Sequence, residues 1–515
     1  MPKRIKLSYF ALLFSFINLV LYQYPFYTFV WGNIDVQSLN GILLLVSLTI
    51  AALFLNALVF YIGLYLLGFI GKWLLVLFFN FSAIAVYFIN TYGVIIDRTM
   101  IGNILNTNYE ESSSFLSFGL LVYIILLGVL PSILIFKFEV IRVKLKKFLL
   151  QVFLTLIFLL SIAFVNAPNW LWIDKNSKTL GGLVMPWSYV VNITRYYNHE
   201  NNKNETQILL PDATLKDNKK SVAVLVIGES ARSSNFSLYG YEKNTNPLLS
   251  KIENVHHYNV ESCATYTRAG VKCILDYKNT NKLYEILPNY LFRNDVEVIW
   301  KTTNWGEPTV RIQNFQNKEN LRKIYKGERD VYDEVLLNGL REEIQASDKN
   351  KILIVLHTST SHGPTYYKKY PEEFNTFTPV CTSVELANCT QEELINAYDN
   401  TILYTDYILA TLIEELKQLE EYNSSMMYIS DHGESLGESN LYMHGIPASI
   451  APKEQLEIPF IVWLSDDSKQ LKENQEHSQH NVFHSVLDFL AIDSPVYDAN
   501  MSIYKKINTE IDGWY

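Results

Sequence analysis

Met426-Met427-Tyr428-Ile429-Ser430-Asp431-His432-Gly433-Glu434 is a short apolar run that ends on a carboxylate and an imidazole. Read as a strand, it places Asp431 and His432 at the strand's carboxyl end, where open α/β sheets hold their ligands. Neighbouring residues face opposite sides within a strand, but at the exit into a loop both can turn toward one ion. Carboxylate oxygen and imidazole nitrogen are both good zinc ligands. A lone Asp-His pair would be read more simply as a polar loop. Three further polar clusters at strand ends favour the metal reading.

Outward from that stretch, Val222–Ile227, Val296–Trp300, Ile352–Leu356 and Ile458–Trp463 are further apolar strand candidates. Helical stretches such as Gln391–Glu415 lie between them. Strands alternating with helices predict a doubly wound, largely parallel α/β sheet. Val222–Ile227 is followed by Gly228-Glu229-Ser230-Ala231-Arg232, and Ile352–Leu356 by His357-Thr358-Ser359-Thr360-Ser361-His362-Gly363-Pro364. Ser262-Cys263-Ala264-Thr265-Tyr266-Thr267-Arg268-Ala269-Gly270-Val271-Lys272-Cys273 lies between those two, and His444 follows His432 further on. A metal beside a hydroxyl suits nucleophilic catalysis, because a bound cation lowers the pKa of the hydroxyl it holds. Histidines around such a centre can bind or protonate a phosphate.

The first half is a different material. Nearly uncharged apolar stretches run from about Ser8 to Trp31, Asn40–Ile70, Lys72–Ile96, Phe115–Phe136 and Phe148–Val165. A bilayer-spanning helix needs about 20 apolar residues, so five crossings are expected. Lys3, Arg4 and Lys6 precede the first stretch, and Lys137, Arg142, Lys144, Lys146 and Lys147 join the fourth to the fifth. Basic residues favour the cytoplasmic side, which places everything after about residue 166 outside the cytoplasm, in a periplasm. The four cysteines all lie in that second half and form two local pairs, Cys263 with Cys273 and Cys381 with Cys389. Two disulfides are the expectation in an oxidising compartment. The alternative, a four-cysteine zinc site, requires the pairs to converge in space. The domain reading is 1–170 membrane, 171–220 linker and bridging segment, and 221–515 catalytic. The net charge of −9 argues against a broad nucleic-acid surface.

The ordered motifs resemble those of the membrane-anchored phosphoethanolamine transferases of the alkaline phosphatase and sulfatase superfamily, over nearly the whole chain. The resemblance implies an alkaline-phosphatase-like catalytic domain behind a multi-pass anchor in the bacterial inner membrane. It implies tightly bound zinc held by Glu229, Thr267, Asp431 and His432, with Thr267 also the nucleophile. His362 and His444 match positions that contact the phosphate group or a second zinc. Asn103, Thr107 and Glu111, spaced four apart, match residues that meet the donor's amine and phosphate; one helix would put them on one face. Tyr398-Asp399-Asn400-Thr401 is also family-like, and otherwise reads as one turn of an amphipathic helix. The implied reaction moves phosphoethanolamine from phosphatidylethanolamine to lipid A of lipopolysaccharide through a phosphothreonine, weakening the attraction of the envelope for cationic peptides.

The chain departs from the family pattern at Ala264, where members have Gly, and at Gly270-Val271-Lys272-Cys273, where lipid A-modifying members often have Ser-Val-Pro-Cys. Those departures touch the acceptor, so core sugars or a surface protein stay open as acceptors. A phosphoglycerol transferase is the nearest alternative, and a non-catalytic receptor or scaffold the distant one. A sulfatase is disfavoured because the Cys-x-Pro-x-Arg segment that matures to formylglycine is missing.

Overall fold

The computed structural model describes residues 3–107, 109–203, 207–280, 282–466, 468–472 and 476–505. The chain divides into two compact units, Met1–Asn201 and Asn202–Tyr515.

In the first unit the apolar stretches are helices: α1 (Leu7–Tyr22), α2 (Tyr24–Asn33), α3 (Leu39–Leu67), α4 (Phe69–Tyr92), α5 (Arg98–Asn106), α6 (Phe118–Phe136), α7 (Leu145–Val165) and α8 (Trp187–Lys203). Four of them, α3, α4, α6 and α7, are long and apolar enough to cross a bilayer, and the bent pair α1–α2 makes a fifth if it is one span. The pair bends by 65° at Gln23, next to Pro25, which has no N–H for the ladder. The buried Gln23 amide donates to Asn18 Oδ1 at 2.8 Å, and the Asn56 amide donates to the same oxygen at 2.9 Å. Polar side chains inside an apolar bundle need such partners, because no water reaches them. Residues 171–203 of the segment read as a linker carry three helices, the last being α8. Ahead of α1, Lys3–Lys6 pairs in parallel with Phe138–Ile141.

In the second unit seven strands form one sheet: β1 (Ser221–Gly228), β2 (Val255–Glu261), β3 (Glu297–Thr302), β4 (Asn314–Gln316), β5 (Lys351–His357), β6 (Asn423–Ser430) and β7 (Glu457–Leu464). Their order is β2-β7-β6-β1-β5-β3-β4. From β6 to β4 all pairs are parallel, while β7 is antiparallel to both its neighbours. Every residue of β1 and β5 is buried, as expected of central strands covered on both faces. Helices α9 (Thr267–Leu275), α10 (Gln391–Lys417) and α11 (Asn481–Phe489) belong to this unit. α10 starts with a reciprocal cap in which the Thr390 hydroxyl accepts from the Glu393 amide and the Glu393 carboxylate accepts from the Thr390 amide. Ala223, Leu225 and Ile227 of β1, Leu353 and Val355 of β5 and Met427 and Ile429 of β6 join Val271, Val482 and Val486 from helices in one core. This is the expected α/β architecture.

Candidate active site

β1 and β6 are neighbours at the centre of the sheet, and Gly228 pairs with Ser430 at their ends. The residues that follow, Glu229 and Asp431, therefore leave the sheet side by side, and both are buried. Thr267 opens α9, with Tyr266 as N-cap. Its hydroxyl donates to Glu229 Oε2 at 3.3 Å. Asn304 donates its amide to the same oxygen at 2.7 Å, and the Ser230 hydroxyl donates to Glu229 Oε1 at 2.7 Å. His432 Nε2 lies 3.6 Å from Glu229 Oε1 and 3.4 Å from Asp431 Oδ2.

Three imidazoles converge here. The rings of His432 and His444 are 4.3 Å apart between centroids, and those of His362 and His444 5.4 Å. Each has its Nδ1 against an oxygen: His432 on the Gly433 carbonyl at 2.8 Å, His362 on the Gly363 carbonyl at 2.7 Å, and His444 on Glu434 Oε2 at 3.1 Å. An Nδ1–H donated to such an acceptor leaves the Nε2 lone pair to face the centre, the arrangement usual for metal-binding histidines. Glu229, His432 and His444 each offer a ligand atom, all within 4.8 Å of one another.

The electrostatics point to a cation. Burial pushes the Glu229 carboxyl up, but the neighbouring imidazoles, His362 foremost and then His444, hold it well below the usual carboxylate range. Burial, and then the adjacent Glu229, push the Asp431 carboxyl well up. Burial, and then His444, push His432 down to about 3, so this imidazole is neutral. Two buried acidic side chains thus share a dry site with a neutral imidazole, and the Asp431 carboxyl ionises there only with positive charge close by. Asp431 Oδ2 and His432 Nε2 are buried without a hydrogen-bond partner among the described residues. Buried polar atoms are almost always paired, so this donor set fits a divalent cation well.

Two models of known families match the chain, one for phosphoethanolamine transferases EptA/EptB over residues 43–201 and one for sulfatases over residues 221–492. The phosphoethanolamine transferase EptA of Helicobacter pylori is 38% identical over 96% of this chain and 96% of its own length. This chain belongs to the phosphoethanolamine transferase family. The phosphatidylethanolamine transferase Mcr-1 of Escherichia coli is 35% identical over 76% of this chain and 78% of its own. The solved integral membrane lipooligosaccharide phosphoethanolamine transferase A (EptA) of Neisseria meningitidis superposes with a TM-score of 0.88, at 27% identity, over 98% of this chain and 99% of that one.

The structure brings Glu229, Thr267, Asp431, His432, His362 and His444 close to one another. Cys263–Cys273 and Cys381–Cys389 are both disulfide-bonded. Asn103, Thr107 and Glu111 do not lie on one continuous helix. α5 ends at Asn106, Thr107 turns to ψ 130° as its cap, and a separate short helix starts at Tyr109. The Thr107 hydroxyl donates to the Asn103 carbonyl at 2.7 Å. The Glu111 side chain lies outside the described residues. Three residues of the site have no signal in the sequence reading. Asn304 leaves β3 by a short loop, Ser230 hides behind Glu229 in the motif, and Glu434 has the appearance of an ordinary loop carboxylate.

Proposed function

We propose that this protein is a zinc-dependent phosphoethanolamine transferase of the bacterial inner membrane, with its catalytic unit in the periplasm. It moves phosphoethanolamine from phosphatidylethanolamine to lipid A of lipopolysaccharide through a phosphothreonine at Thr267. The observation that carries the reading is the Thr267 hydroxyl 3.3 Å from Glu229, at a helix start, beside the unpartnered Asp431 and His432 atoms. The names of the relatives support the substrates: one is a phosphatidylethanolamine transferase, another acts on lipooligosaccharide.

Glu229, Thr267, Asp431 and His432 would hold one tightly bound zinc. When bound, zinc supplies positive charge that favours the alkoxide form of a coordinated hydroxyl. Thr267 Oγ1 forms the bond to phosphorus, and the bond from phosphorus to the diacylglycerol oxygen breaks. His362 and His444 meet the charge on the phosphate and would hold a second zinc if one is bound, and a protonated imidazole can hand its proton to the departing oxygen. The start of α9, where Thr267 sits, presents the positive end of the helix dipole and suits the same anionic phosphate. A hydroxyl or phosphate oxygen of the acceptor then takes the phosphorus and releases Thr267. On the membrane side, Asn103, Thr107 and Glu111 meet the amine and phosphate of the donor.

Two measurements test this. Mass spectrometry of lipid A from cells with and without the gene should show phosphoethanolamine only when the gene is present; its appearance on core sugar or protein instead would move the acceptor. Peptide mapping after exposure to the donor should place the adduct on Thr267. Thr267→Ala should abolish adduct and transfer. Thr265→Ala should keep part of the activity, because the Thr265 hydroxyl is already committed to the Ile446 carbonyl at 2.6 Å. An adduct on Thr265 or Ser230 would refute the assignment.

A further inference from the structure

Tyr398-Asp399-Asn400-Thr401 forms one turn of α10, and all four residues are fully buried. None of them takes part in the chemistry above. Each instead grips a different loop. Asp399 accepts from Asn235 Nδ2 at 2.6 Å and Lys243 Nζ at 2.8 Å, and Asn400 accepts the amides of Thr376 and Phe377 at 3.0 and 2.9 Å. Thr401 Oγ1 lies 2.9 Å from the hydroxyl of Ser361, the residue before His362. Tyr398 grips the turn that carries Glu229: its hydroxyl donates to the Ser230 carbonyl at 2.7 Å and accepts the Arg232 amide at 2.9 Å.

That turn needs holding. Ser230 has φ 52°, in the left-handed region that residues with a Cβ rarely adopt. The conformation breaks the strand's alternation, so that Ser230 and Glu229 turn their side chains to each other at the centre. Such residues persist only where their surroundings over-determine them. Four bonds do so. The Ser230 amide donates to Asp431 Oδ1 at 3.0 Å and the Ala231 amide to Ser430 Oγ at 2.9 Å, both from the exit of β6. The other two meet at the single oxygen of Tyr398. We infer that Tyr398 is a positioning residue for the reaction: its hydroxyl keeps Ser230 left-handed and so aims the Glu229 carboxylate at the centre. Its ring is held separately, edge-on to Tyr366 at 5.4 Å and beneath the Arg232 guanidinium at 5.7 Å. Phenylalanine would keep that packing and remove only the hydroxyl.

The inference rests on the zinc and threonine reading, and the experiment separates the two. Full-length wild type, Tyr398→Phe and Tyr404→Phe are compared for zinc dissociation constant by chelator competition, and for kcat and KM per folded, zinc-loaded molecule. Tyr404 is a control on the same helix, equally buried, with its hydroxyl near the Glu334 amide and outside the site. Tyr398→Phe should weaken zinc binding and lower kcat by about 10–100-fold, the usual cost of losing a group that orients a metal ligand, with KM for the donor unchanged. Tyr404→Phe should change none of these. A second arm isolates the backbone: glycine takes φ 52° freely and alanine does not, while both lack the Ser230 hydroxyl. The advantage of Ser230→Gly over Ser230→Ala in zinc affinity should therefore be larger when combined with Tyr398→Phe than when Tyr398 is intact. Ser430→Ala, which frees the Ala231 amide and also the His432 carbonyl that the Ser430 hydroxyl meets at 2.9 Å, should shift zinc affinity and kcat in the same direction without touching α10 and stands in should Tyr398→Phe not fold. Unchanged zinc affinity and kcat in Tyr398→Phe or Ser430→Ala, or an equal loss in Tyr404→Phe, would overturn the inference. A wild-type protein that binds no zinc would overturn the proposed function instead.

Discussion

Asp406, on the buried side of α10, accepts the backbone N–H groups of Leu248 and Leu249 at 2.8 and 3.0 Å. Burial raises its carboxyl from 3.8 to about 6, and those two bonds only partly offset the effect. Between these values the folded state keeps the Asp406 proton and the unfolded chain has released it, so the folded state binds more protons. Stability from this group is therefore fully present below about pH 4 and is lost as pH rises through about 6. The span corresponds to about 3 kcal/mol. Asp406→Asn should flatten that part of the profile, so that the urea midpoint of the variant falls less than that of wild type between about pH 4 and pH 7. Parallel profiles would show that Asp406 titrates normally. In the sequence, Asp406 is one polar residue in an amphipathic helix and nothing marks it. Asp431 differs because it follows an apolar run and precedes a histidine, which made it legible. Ser230 was not legible, since its left-handed backbone depends on Tyr398, 168 residues away.

At the scale of elements, the five apolar strand candidates all became strands because strands inside a sheet covered on both faces carry continuous apolar runs, whether parallel like β1, β3, β5 and their neighbour β6 or antiparallel to its neighbours like β7. β2 and β4 were missed for the converse reason: β2 reads Val-His-His-Tyr-Asn-Val-Glu at the sheet's edge, and β4 has only three residues. The α9 segment was legible from its cysteines and hydroxyls, but its ties to the site were not. The Cys263 amide donates to Gln479 Oε1 at 2.9 Å, and Gln479 Nε2 donates to the Asp431 carbonyl at 2.7 Å. The Cys263–Cys273 loop thus encloses Thr267 and is bonded through one side chain to the Asp431 turn. Cys381–Cys389 stands ahead of α10, with the Cys381 amide on the Glu393 carbonyl at 2.9 Å. The two loops are similar in length, 10 and 8 residues of separation, so each contributes a similar stabilisation, about 2–4 kcal/mol in the chain-entropy account. Cys263→Ser should lower transfer activity more than Cys381→Ser at equal amounts of folded protein. Equal activities would show that the loop around Thr267 is held without its bridge.

At the scale of the whole molecule, the expectation of five crossings meets a first helix broken into α1 and α2 at 65°. Length and composition alone leave that pair as one crossing or as a re-entrant hairpin. The ribbon between Lys3–Lys6 and Phe138–Ile141 predicts one of the two by parity. Hydrogen-bonded segments lie on one side of the bilayer, so the number of crossings between residues 6 and 138 is even. If α3, α4 and α6 each cross once, the bent pair is expected to supply the fourth. Lys3, Arg4 and Lys6 lie in the first ribbon strand and Lys137 and Arg142 flank the second, and such residues favour the cytoplasmic face, so α7 is expected to take the chain across once more. The break itself was legible only in part: Pro25 and Asn18 are near in sequence, but the Met185 carbonyl that also accepts from Gln23 lies 162 residues away. Reporter fusions check the count. A periplasm-active reporter joined after residue 35, in the connection after α2, or after residue 203 should be active, and one joined at residue 143 should be silent, with a cytoplasm-active reporter giving the reverse. Silence after residue 35 with activity after residue 203 would make the first pair a hairpin. The ribbon would then have to break in the membrane-inserted protein, and the basic segments could not share one face.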